Sequence, residues 1–413
     1  MNGAVTACRA CGGALSLTMA DLGLQPPSNA FLPADAPLTG ERLYPLRAKV
    51  CDRCRLVQLD HDVDPRELFG NYVYFSSYSD DWLRHAEAYC RMAMQRFALG
   101  ADSLVVELAS NDGYLLKNFV AAGISVLGID PSDTVAFAAE AAGVPTLIEF
   151  FGEAQARELV AQGRQADLVI GNNVLAHVPA INDFVAGIAL ILKPGGTVTI
   201  EFPHLLRLIE HVEFDTIYHE HYSYISLLAI ERVFAQHGLR IYDVEELPTH
   251  GGSLRIYATH AARGDVADSD SLRRVRAAEA AAGLADAAVY LRFAARVEAC
   301  RTSVRGFLRD AKAAGRTVAG YGAAAKGNTL LNFCGVTSAE LACVADRNPH
   351  KQGKLLPGSR IPVISPEDLL RRQPDYVLIL PWNLRTEVMR QLAPVRGWGG
   401  RFVTPVPEIQ IQP

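Results

Sequence analysis

Short apolar runs alternate with longer amphipathic stretches along the middle of the chain. The runs alternate only weakly between polar and apolar residues, a pattern typical of parallel strands that are buried on both faces. They occupy residues 103–108, 125–130, 167–171 and 196–201. Helical stretches lie between them, so the pattern predicts βαβ units in a doubly wound α/β sheet.

The regions on either side of this segment differ from it in texture. Residues 1 to about 70 are rich in turn formers. An alanine- and arginine-rich stretch, about residues 271–314, predicts one or two long helices that end at Gly315. A second, smaller parallel sheet is predicted after it, over residues 316–321, 341–346 and 375–380. We therefore predict a small N-terminal domain over residues 1–70, an α/β core over 71–245, and a helical connector with a C-terminal α/β domain over 246–413.

Composition limits the classes of function. The chain has 413 residues, a formal net charge of -5 and an estimated pI of about 6.1. No basic field suggests a nucleic-acid partner, no Lys/Arg cluster suggests an anionic membrane surface, and no apolar run is long enough for a membrane helix. No basic region followed by an apolar run begins the chain, so we expect a cytoplasmic enzyme with reduced thiols. Composition leaves the oligomeric state open and is compatible with a monomer.

Four cysteines form two CxxC pairs in the N-terminal region, Cys8 with Cys11 and Cys51 with Cys54. Two such pairs can close a tetrahedral thiolate cage around zinc, and a full set of four thiolates leaves no open coordination position. The prediction is a structural zinc site, with reduced thiols that bind no metal as the alternative. The separation of the pairs is wider than in a minimal zinc ribbon, so an insertion must loop out between them.

The end of the first predicted core strand carries a second candidate site. Residues 106–114 read Val-Glu-Leu-Ala-Ser-Asn-Asp-Gly-Tyr, and Asp130 ends the next strand. An acid at that position can accept hydrogen bonds from ribose hydroxyls. The turn has a single glycine, Gly113, so a dinucleotide GxGxxG motif fails. A nucleoside ligand without a pyrophosphate fits better, and S-adenosylmethionine is one; the alternative is a tight turn with a solvated aspartate.

Residues 218–222 read Tyr-His-Glu-His-Tyr and combine imidazoles, a carboxylate and phenols. Imidazole has an unperturbed pKa close to neutral pH, so it is the usual group for proton transfer there. This stretch indicates an acid/base centre beside the nucleoside site. A metal cluster and a polar turn are the alternatives.

Several motifs occur in a fixed order along almost the whole chain. They are the CxxC pairs, YVYFSSYS at 72–79, GNNVLAHVP at 171–179, LKPGG at 192–196, YHEHYSY at 218–224, HGGSLR at 250–255 and GYGAAAKGN at 320–328. Residues 104–133, together with the motifs at 171–179 and 192–196, resemble a class I S-adenosylmethionine-dependent methyltransferase. The full order resembles the sugar C-methyltransferases of deoxysugar pathways, which act on nucleotide-linked 4-keto-6-deoxyhexoses. One departure is that Ala109 and Asn111 stand where the class I pattern usually has glycines.

The resemblance implies a function and roles for individual residues. It implies methylation of a nucleotide-diphosphate 4-keto-6-deoxy sugar, dTDP-linked and at carbon 3, through base-catalysed enolisation. His221 would be the base. His219 is predicted to be a bystander, since successive residues of an extended segment point to opposite sides. The further residues implied at the reaction centre are Tyr218, Glu220, His177 and Tyr72. An O- or N-methyltransferase acting on a nucleotide sugar and a non-catalytic, zinc-headed scaffold are the alternatives.

The same resemblance implies two binding sites in the α/β parts of the chain. The implied S-adenosylmethionine site comprises Glu107, Ala109, Asn111, Gly113, Asp130, Asn172 and Asn173. The implied sugar-nucleotide site comprises Tyr78, His250, Arg255, Tyr321, Lys326, Asn328 and Asp346. The turn at 320–328 follows a predicted strand and opens a helix, so its backbone amides could face a phosphate. A glycine-rich turn kept for packing is the alternative there.

Overall fold

The computed structural model describes residues 3–69, 76–78 and 80–413. The N-terminal part contains strands β1 (Gly3–Ala4), β2 (Leu17–Gln25), β3 (Tyr44–Val50), β4 (Val57–Leu59) and β5 (His61–Asp62). The middle part contains strands β6 (Leu104–Leu108), β7 (Ser125–Ile129), β8 (Thr146–Leu147), β9 (Ala166–Asn172), β10 (Leu192–Pro203), β11 (Ser223–Tyr224), β12 (Leu239–Leu247) and β13 (Ser253–His260). The C-terminal part contains strands β14 (Val318–Tyr321), β15 (Val344–Ala345), β16 (Val363–Ile364), β17 (Tyr376–Ile379), β18 (Arg401–Thr404) and β19 (Gln410–Gln412).

Helices connect these strands. They are α1 (Pro65–Phe69), α2 (Asp80–Arg96), α3 (Lys117–Ala121), α4 (Asp133–Ala141), α5 (Glu153–Ala161), α6 (Ile181–Ile191), α7 (Leu205–His211), α8 (Leu227–Gln236), α9 (Asp270–Ala282), α10 (Ala287–Ala313), α11 (Ala325–Phe333), α12 (Pro366–Arg372) and α13 (Arg385–Gln391). The alanine- and arginine-rich stretch is thus two helices, α9 and α10. Ser269 caps α9 by accepting a hydrogen bond from the amide of Leu272, and Gly283 ends it in a left-handed conformation.

The core sheet has the strand order β12-β13-β10-β9-β6-β7-β8. Strands β6 to β10 pair in parallel, as the βαβ pattern predicts. The hairpin of β12 and β13 adds to β10 with antiparallel pairing. The boundary predicted at residue 245 therefore falls inside β12, and the core sheet continues to His260. The pattern did not indicate this, because β13 is buried along almost its whole length and its strand partners are not encoded locally.

The N-terminal sheet takes one strand from far along the chain. Its order is β11-β4-β3-β2, and β11 pairs antiparallel with β4 through Ser223 with Gln58 and Tyr224 with Val57. Strand β11 directly follows residues 218–222. The candidate acid/base stretch is therefore attached to the sheet that carries the CxxC pairs.

The C-terminal sheet has the order β16-β15-β14-β17-β18-β19 and is parallel except for its last strand. One continuous apolar cluster joins it to the N-terminal sheet through α10. Met19 and Leu46 of the N-terminal sheet, Tyr290 of α10 and Leu378 of β17 all belong to this cluster and are almost fully buried. Burial of this shared surface fixes the C-terminal part against the N-terminal part.

Candidate active site

A cavity of about 960 Å³ lies where the three parts of the chain meet. Side chains of the N-terminal part, the core and the C-terminal part all line it. The lining residues include Asn29, Trp82, Ala109, Asn111, Asp130, Asn172, Asn173, His177, Thr216, Tyr218, Glu220, His221, His250, Lys326 and Lys351. The structure thus brings residues predicted for catalysis, for the cofactor and for the substrate to one cavity.

His221 is held in one tautomer by its neighbours. Its Nδ1 lies 2.9 Å from the carbonyl oxygen of Thr216, so Nδ1 carries the proton and donates it. Its Nε2 lies 3.0 Å from the phenol of Tyr218 and accepts a hydrogen bond from it. The amide of His221 also donates to the carbonyl of Tyr218 at 2.9 Å, which closes a tight turn. The basic lone pair of His221 is therefore on Nε2, beside Tyr218.

Burial keeps this imidazole neutral. His221 is 8% exposed, and burial followed by the nearby imidazole of His177 holds its pKa well below the usual value. The ring centroids of His177 and His221 lie 4.7 Å apart. Burial also lowers the pKa of His177 and of His250 to about 4. The cavity therefore contains imidazoles that are unprotonated, and able to accept a proton, at neutral pH.

Glu220, which precedes His221 in the chain, lines the same cavity, and one of its carboxylate oxygens accepts a hydrogen bond. Its Oε1 accepts a hydrogen bond of 2.7 Å from Nδ2 of Asn29. Burial raises the pKa of Glu220 to about 7, against the lowering effects of Asn29 and of the Lys351 charge. Glu220 can therefore change its charge near neutral pH.

His219 points away from the cavity. It is 1% exposed, and its ring packs edge-on against Tyr44 of the N-terminal sheet with centroids 5.9 Å apart. It does not appear among the lining residues, whereas Tyr218, Glu220 and His221 do. The placement is consistent with the bystander role predicted for His219.

Most of the residues predicted for the cofactor lie at one end of the cavity, which is formed by the carboxyl ends of β6, β7 and β9. Ala109 and Asn111 both adopt left-handed backbone angles, with φ of 55° and 51°. The carboxylate of Asp130 accepts hydrogen bonds of 3.0 Å from the amides of Asn111 and Ser132. The two departures from glycine thus keep the backbone conformation that glycine would favour.

The residues at this end fit S-adenosylmethionine. Asp130 is a buried carboxylate at a strand end, where ribose hydroxyls can donate to it. Asn172 and Asn173 also line this end. Among the described residues, the Oδ1 of Asn172 and both amide atoms of Asn173 are buried without a hydrogen-bond partner. Buried polar atoms of this kind are normally satisfied, and a polar ligand would satisfy them.

Two residues predicted for the cofactor do not line the cavity. Glu107 is 1% exposed, and burial followed by the charge of Asp130 raises its pKa well above the usual value. A Cβ added at Gly113, which has a φ of 73°, would lie 3.0 Å from Val144 and 3.2 Å from Ala139. Gly113 therefore allows the turn to pack closely against α4.

The residues predicted for the sugar nucleotide are divided. Lys326 and His250 line the cavity, and the Lys326 ammonium lies 5.0 Å from the centroid of the Trp382 ring. Tyr321, Asn328 and Asp346 do not line it. Tyr321 donates to Gln391 at 3.0 Å, and Asn328 is 1% exposed.

Asp346 repeats the arrangement of Asp130 in the second α/β part. Its carboxylate accepts hydrogen bonds of 2.8 Å from the amides of Ala323 and Asn348. The ammonium of Lys351 lies 3.8 Å from the same carboxylate and donates to the carbonyl of Ala323 at 2.8 Å. Asp346 thus orders the turn after β14 and places Lys351 at the cavity.

Arg255 lies in the core sheet and not at the cavity. Its guanidinium donates to Glu201 at 2.7 Å and to Glu245 at 2.8 Å, and it stacks on the ring of Tyr89. Since both sides of the guanidinium are occupied by carboxylates, we assign Arg255 a packing role.

Tyr72 lies outside the described residues. Tyr78 ends a short 3-10 turn that begins at Ser76, and the amide of Ser76 donates to the side chain of Asn111 at 2.9 Å.

The four N-terminal thiols form a compact cluster. All four Sγ atoms lie within 4.8 Å of one another, with Cys8 and Cys54 3.5 Å apart and Cys11 and Cys51 3.4 Å apart. The amide of Cys54 donates to Sγ of Cys51 at 3.4 Å. A Cβ added at Gly13 would lie 3.0 Å from Sγ of Cys51. Four convergent thiols with a backbone donor fit a tetrahedral zinc ion, which would link the two hairpins that carry the pairs. Cys90, Cys300, Cys334 and Cys343 are buried, as expected for small apolar side chains.

Several cavity residues were not anticipated from the sequence. Asn29 and Lys351 come from opposite ends of the chain, and Trp82 stacks on Tyr114 at 6.2 Å and packs against His250 at 5.5 Å. The wide spacing between the CxxC pairs indicated an insertion, but it did not indicate that Asn29 within this insertion reaches the cavity. A lone lysine or tryptophan gives no local signal of this kind.

Comparison with known proteins accounts for this architecture. A family model described as C-methyltransferase C-terminal domain matches residues 248–407, a methyltransferase domain model matches 82–244, and a zinc binding domain model matches 8–69. C-methyltransferase NovU from Streptomyces niveus is 37% identical over 404 residues, which cover 98% of this chain and 96% of that relative. The chain belongs to the C-methyltransferase family. This C-methyltransferase has a zinc-binding N-terminal domain and uses S-adenosylmethionine as its methyl donor.

Other matches cover only part of this C-methyltransferase. Ubiquinone biosynthesis O-methyltransferase of Rhizobium etli is 31% identical over 100 residues, which are 23% of this chain and 39% of that protein. Magnesium protoporphyrin IX methyltransferase from Synechocystis, solved with bound S-adenosylhomocysteine, is 16% identical with a TM-score of 0.34 and covers 43% of this chain and 83% of that one. The PH0226 protein of Pyrococcus horikoshii is 16% identical with a TM-score of 0.39, and the match covers 47% of this chain and 98% of that one.

Over the described ranges, every helix is too short or too polar to cross a membrane.

Proposed function

We propose that this C-methyltransferase methylates a carbon next to the ketone of a nucleotide-diphosphate 4-keto-6-deoxy sugar. The sugar would be dTDP-linked and the methylated position carbon 3. The observation that carries the proposal is the geometry of His221, a cavity-lining residue whose unprotonated Nε2 accepts a hydrogen bond from the phenol of Tyr218. A neutral base with a hydroxyl next to it is what removal of a proton beside a carbonyl requires.

In this mechanism Nε2 of His221 takes the proton from the carbon beside the ketone. The electron pair of the broken C–H bond moves into the new C=C bond, and the carbonyl becomes an enolate oxygen. Tyr218, displaced from Nε2 by the incoming proton, then donates to that oxygen. Bound S-adenosylmethionine supplies an electrophilic methyl group, for which the enolate carbon is the acceptor.

Charge at the C-terminal side of the cavity supports a diphosphate-bearing substrate. Lys326 and Lys351 both line the cavity, each from the region after a strand of the C-terminal sheet. Lys326 lies in the first turn of α11, where free amide groups also favour an anion. Asp130 lies at the opposite, cofactor end. The cavity therefore has an acidic end suited to a ribose and a basic end suited to phosphates.

The test is hydrogen–deuterium exchange on a dTDP-4-keto-6-deoxy sugar in deuterated water. We expect enzyme-dependent exchange beside the ketone, followed by a mass gain of one methyl group at carbon 3 when S-adenosylmethionine is added. Methyl transfer to oxygen or nitrogen without exchange would overturn the enolate route. Exchange or methylation on a ketosugar that carries another nucleotide would change only the nucleobase assigned to the substrate, and the enolate route would stand.

A further inference from the structure

The insertion between the two CxxC pairs crosses to the C-terminal part of the molecule. It runs from the end of β2 to the start of β3. Leu32 and Leu355 exchange backbone hydrogen bonds of 3.0 and 2.8 Å. The guanidinium of Arg360 donates to the carbonyl of Ala36 at 2.5 Å, and Glu41 accepts from the amide of Gly358. The insertion is therefore anchored at several points beyond the zinc-binding domain.

Asn29 lies at the start of this crossing, at the cavity. The carbonyl of Asn29 accepts from the amide of Phe31 at 2.9 Å, and the amide of Ala30 donates to Pro27 at 3.1 Å. These bonds form a turn that presents the Asn29 side chain. Its Nδ2 lies 2.7 Å from Oε1 of Glu220. Since the backbone is anchored on both sides, the amide is held at this position.

The second carboxylate oxygen of Glu220, Oε2, has no hydrogen bond from the described residues like the one that Oε1 accepts from Asn29. Within the described residues, Oε1 accepts the bond from Asn29 and Oε2 accepts none. Glu220 is 4% exposed and lines the cavity next to His221. A buried carboxylate needs partners for both oxygens when it is charged. A ligand hydroxyl in the cavity can supply a partner for Oε2, in addition to the charge of Lys351.

We propose that Asn29 is a positioning residue that holds Glu220 by Oε1 and leaves Oε2 to a hydroxyl of the bound sugar. The reading of Oε2 rests on the proposed function, whereas the contact of Asn29 with Glu220 does not. The zinc-binding domain then supplies the reaction centre with a polar group through the insertion that widens its cysteine spacing.

The amide of Asn29 also affects the charge of Glu220. An N–H donor favours the ionised carboxylate, so loss of Asn29 shifts protonation of Glu220 to higher pH. Lys351 from the C-terminal part also lowers the pKa of Glu220, in the same direction as Asn29. The imidazole of His177 meets the backbone of Glu220, and burial lowers the pKa of His177 to about 4, so it is neutral at the pH of interest. His221 follows Glu220 in the chain and is also neutral, since burial holds its pKa well below the usual value.

The first experiment needs no sugar. Infrared difference spectra between wild type and Glu220→Gln report the carboxyl band of Glu220 as pH varies. In Asn29→Ala and in the near-isosteric Asn29→Asp, the midpoint of that band should move to higher pH, further in Asn29→Asp because of the added negative charge. Asp35→Ala, an exposed change in the same insertion, should leave it in place. An unchanged midpoint in both Asn29 variants overturns the proposal.

The second experiment measures coupling in methyl transfer. A hydrogen bond to a charged group contributes about 1.5–3 kcal/mol, so we expect Asn29→Ala to lower kcat/KM by roughly 10- to 100-fold at neutral pH. The loss should be smaller at alkaline pH, and S-adenosylmethionine affinity should stay unchanged. In a Glu220→Gln background the same change should cost little. Equal losses in both backgrounds would overturn the role through Glu220. Absence of any ketosugar turnover in wild type, with the infrared shift present, would reject the proposed substrate alone.

Discussion

The phenol of Tyr218 donates a hydrogen bond of 3.0 Å to Nε2 of His221, three residues further along the chain. The bond is possible in this direction because the carbonyl of Thr216 fixes the proton of His221 on Nδ1. The pair therefore has an unprotonated nitrogen and a phenol in contact before a substrate binds. In the proposed mechanism, this single tight turn would supply both the base and a donor for the developing oxyanion.

Replacement of the base is the first prediction. His221→Asn should lower kcat by about 10²- to 10⁴-fold, since a positioned base contributes that much, while the affinity for S-adenosylmethionine stays within about 2-fold. Turnover assays and calorimetric titration measure the two quantities. His219→Asn, which changes an imidazole outside the cavity, is the matched control and should keep its turnover. Normal turnover of His221→Asn would show that His221 is not the base.

Acid stability should depend on His219. Burial lowers the pKa of His219 to about 4 in the folded protein, whereas an unfolded histidine has a pKa of about 6.5. The unfolded state therefore binds more protons between these values, and this contribution to stability is lost as pH falls through the window. His219→Leu should lose less stability than wild type between pH 6.5 and 4 in urea unfolding. His350→Leu, which removes an exposed imidazole, should follow the wild-type curve.

Metal removal should affect catalysis more than cofactor binding. Strand β4 begins three residues after Cys54 and pairs with β11, which begins two residues after His221. Loss of zinc should disturb this sheet and displace the base, while Asp130 lies on a separate sheet. Chelation should lower kcat by at least about 10-fold and leave S-adenosylmethionine affinity nearly unchanged, with zinc restoring activity. Full turnover by protein shown to be free of metal would contradict this.

The turn after β6 offers a pair of substitutions with opposite expected signs. Ala109 has a φ of 55°, which costs a non-glycine residue roughly 1–2 kcal/mol. Ala109→Gly should therefore leave stability unchanged or raise it by up to about 1 kcal/mol, after the entropy of the added glycine. Gly113→Ala combines a φ of 73° with close contacts to Val144 and Ala139, and it should destabilise by more than about 1 kcal/mol. Denaturant unfolding measures both, and destabilisation by Ala109→Gly would contradict the strain.

The two ends of the cavity should respond separately to mutation. Asp130→Asn removes a charged acceptor at the cofactor end, and Lys326→Ala removes a cation at the phosphate end. We expect Asp130→Asn to weaken S-adenosylmethionine binding by about 10-fold, and Lys326→Ala to raise the KM for the sugar nucleotide by a similar factor. Titration with each ligand checks this division. Weaker S-adenosylmethionine binding in Lys326→Ala would contradict it.

Much of the fold follows from local pattern, but its long-range pairings do not. The parallel strands and the two long helices occupy the predicted segments because apolar runs and helical periodicity are local properties. The β12–β13 hairpin was not predicted, and β11 has only two residues, so its pairing with β4 leaves no recognisable pattern. Arg255 was expected at the substrate because its motif is near His250. The pleat turns its side chain into the ion pairs with Glu201 and Glu245 instead.

The candidate site shows the same division. Motif order placed Tyr218, Glu220 and His221 in one cavity with Asp130, as the structure does. Asn29 and Lys351 were missed because each reaches the cavity only through tertiary contacts. At Ala109 the expected glycine is absent but its backbone conformation is kept, so residue identity alone was a poor guide to the turn.

The pairing of β4 with β11 also has a consequence for synthesis on the ribosome. The N-terminal sheet lacks its edge strand until residues 223–224 have emerged, after most of the core has been made. Until then β4, whose three residues are buried in the finished protein, presents unpaired backbone groups at an open sheet edge. The N-terminal part is thus completed late although it is translated first, and its excision as a free-standing module would expose that edge.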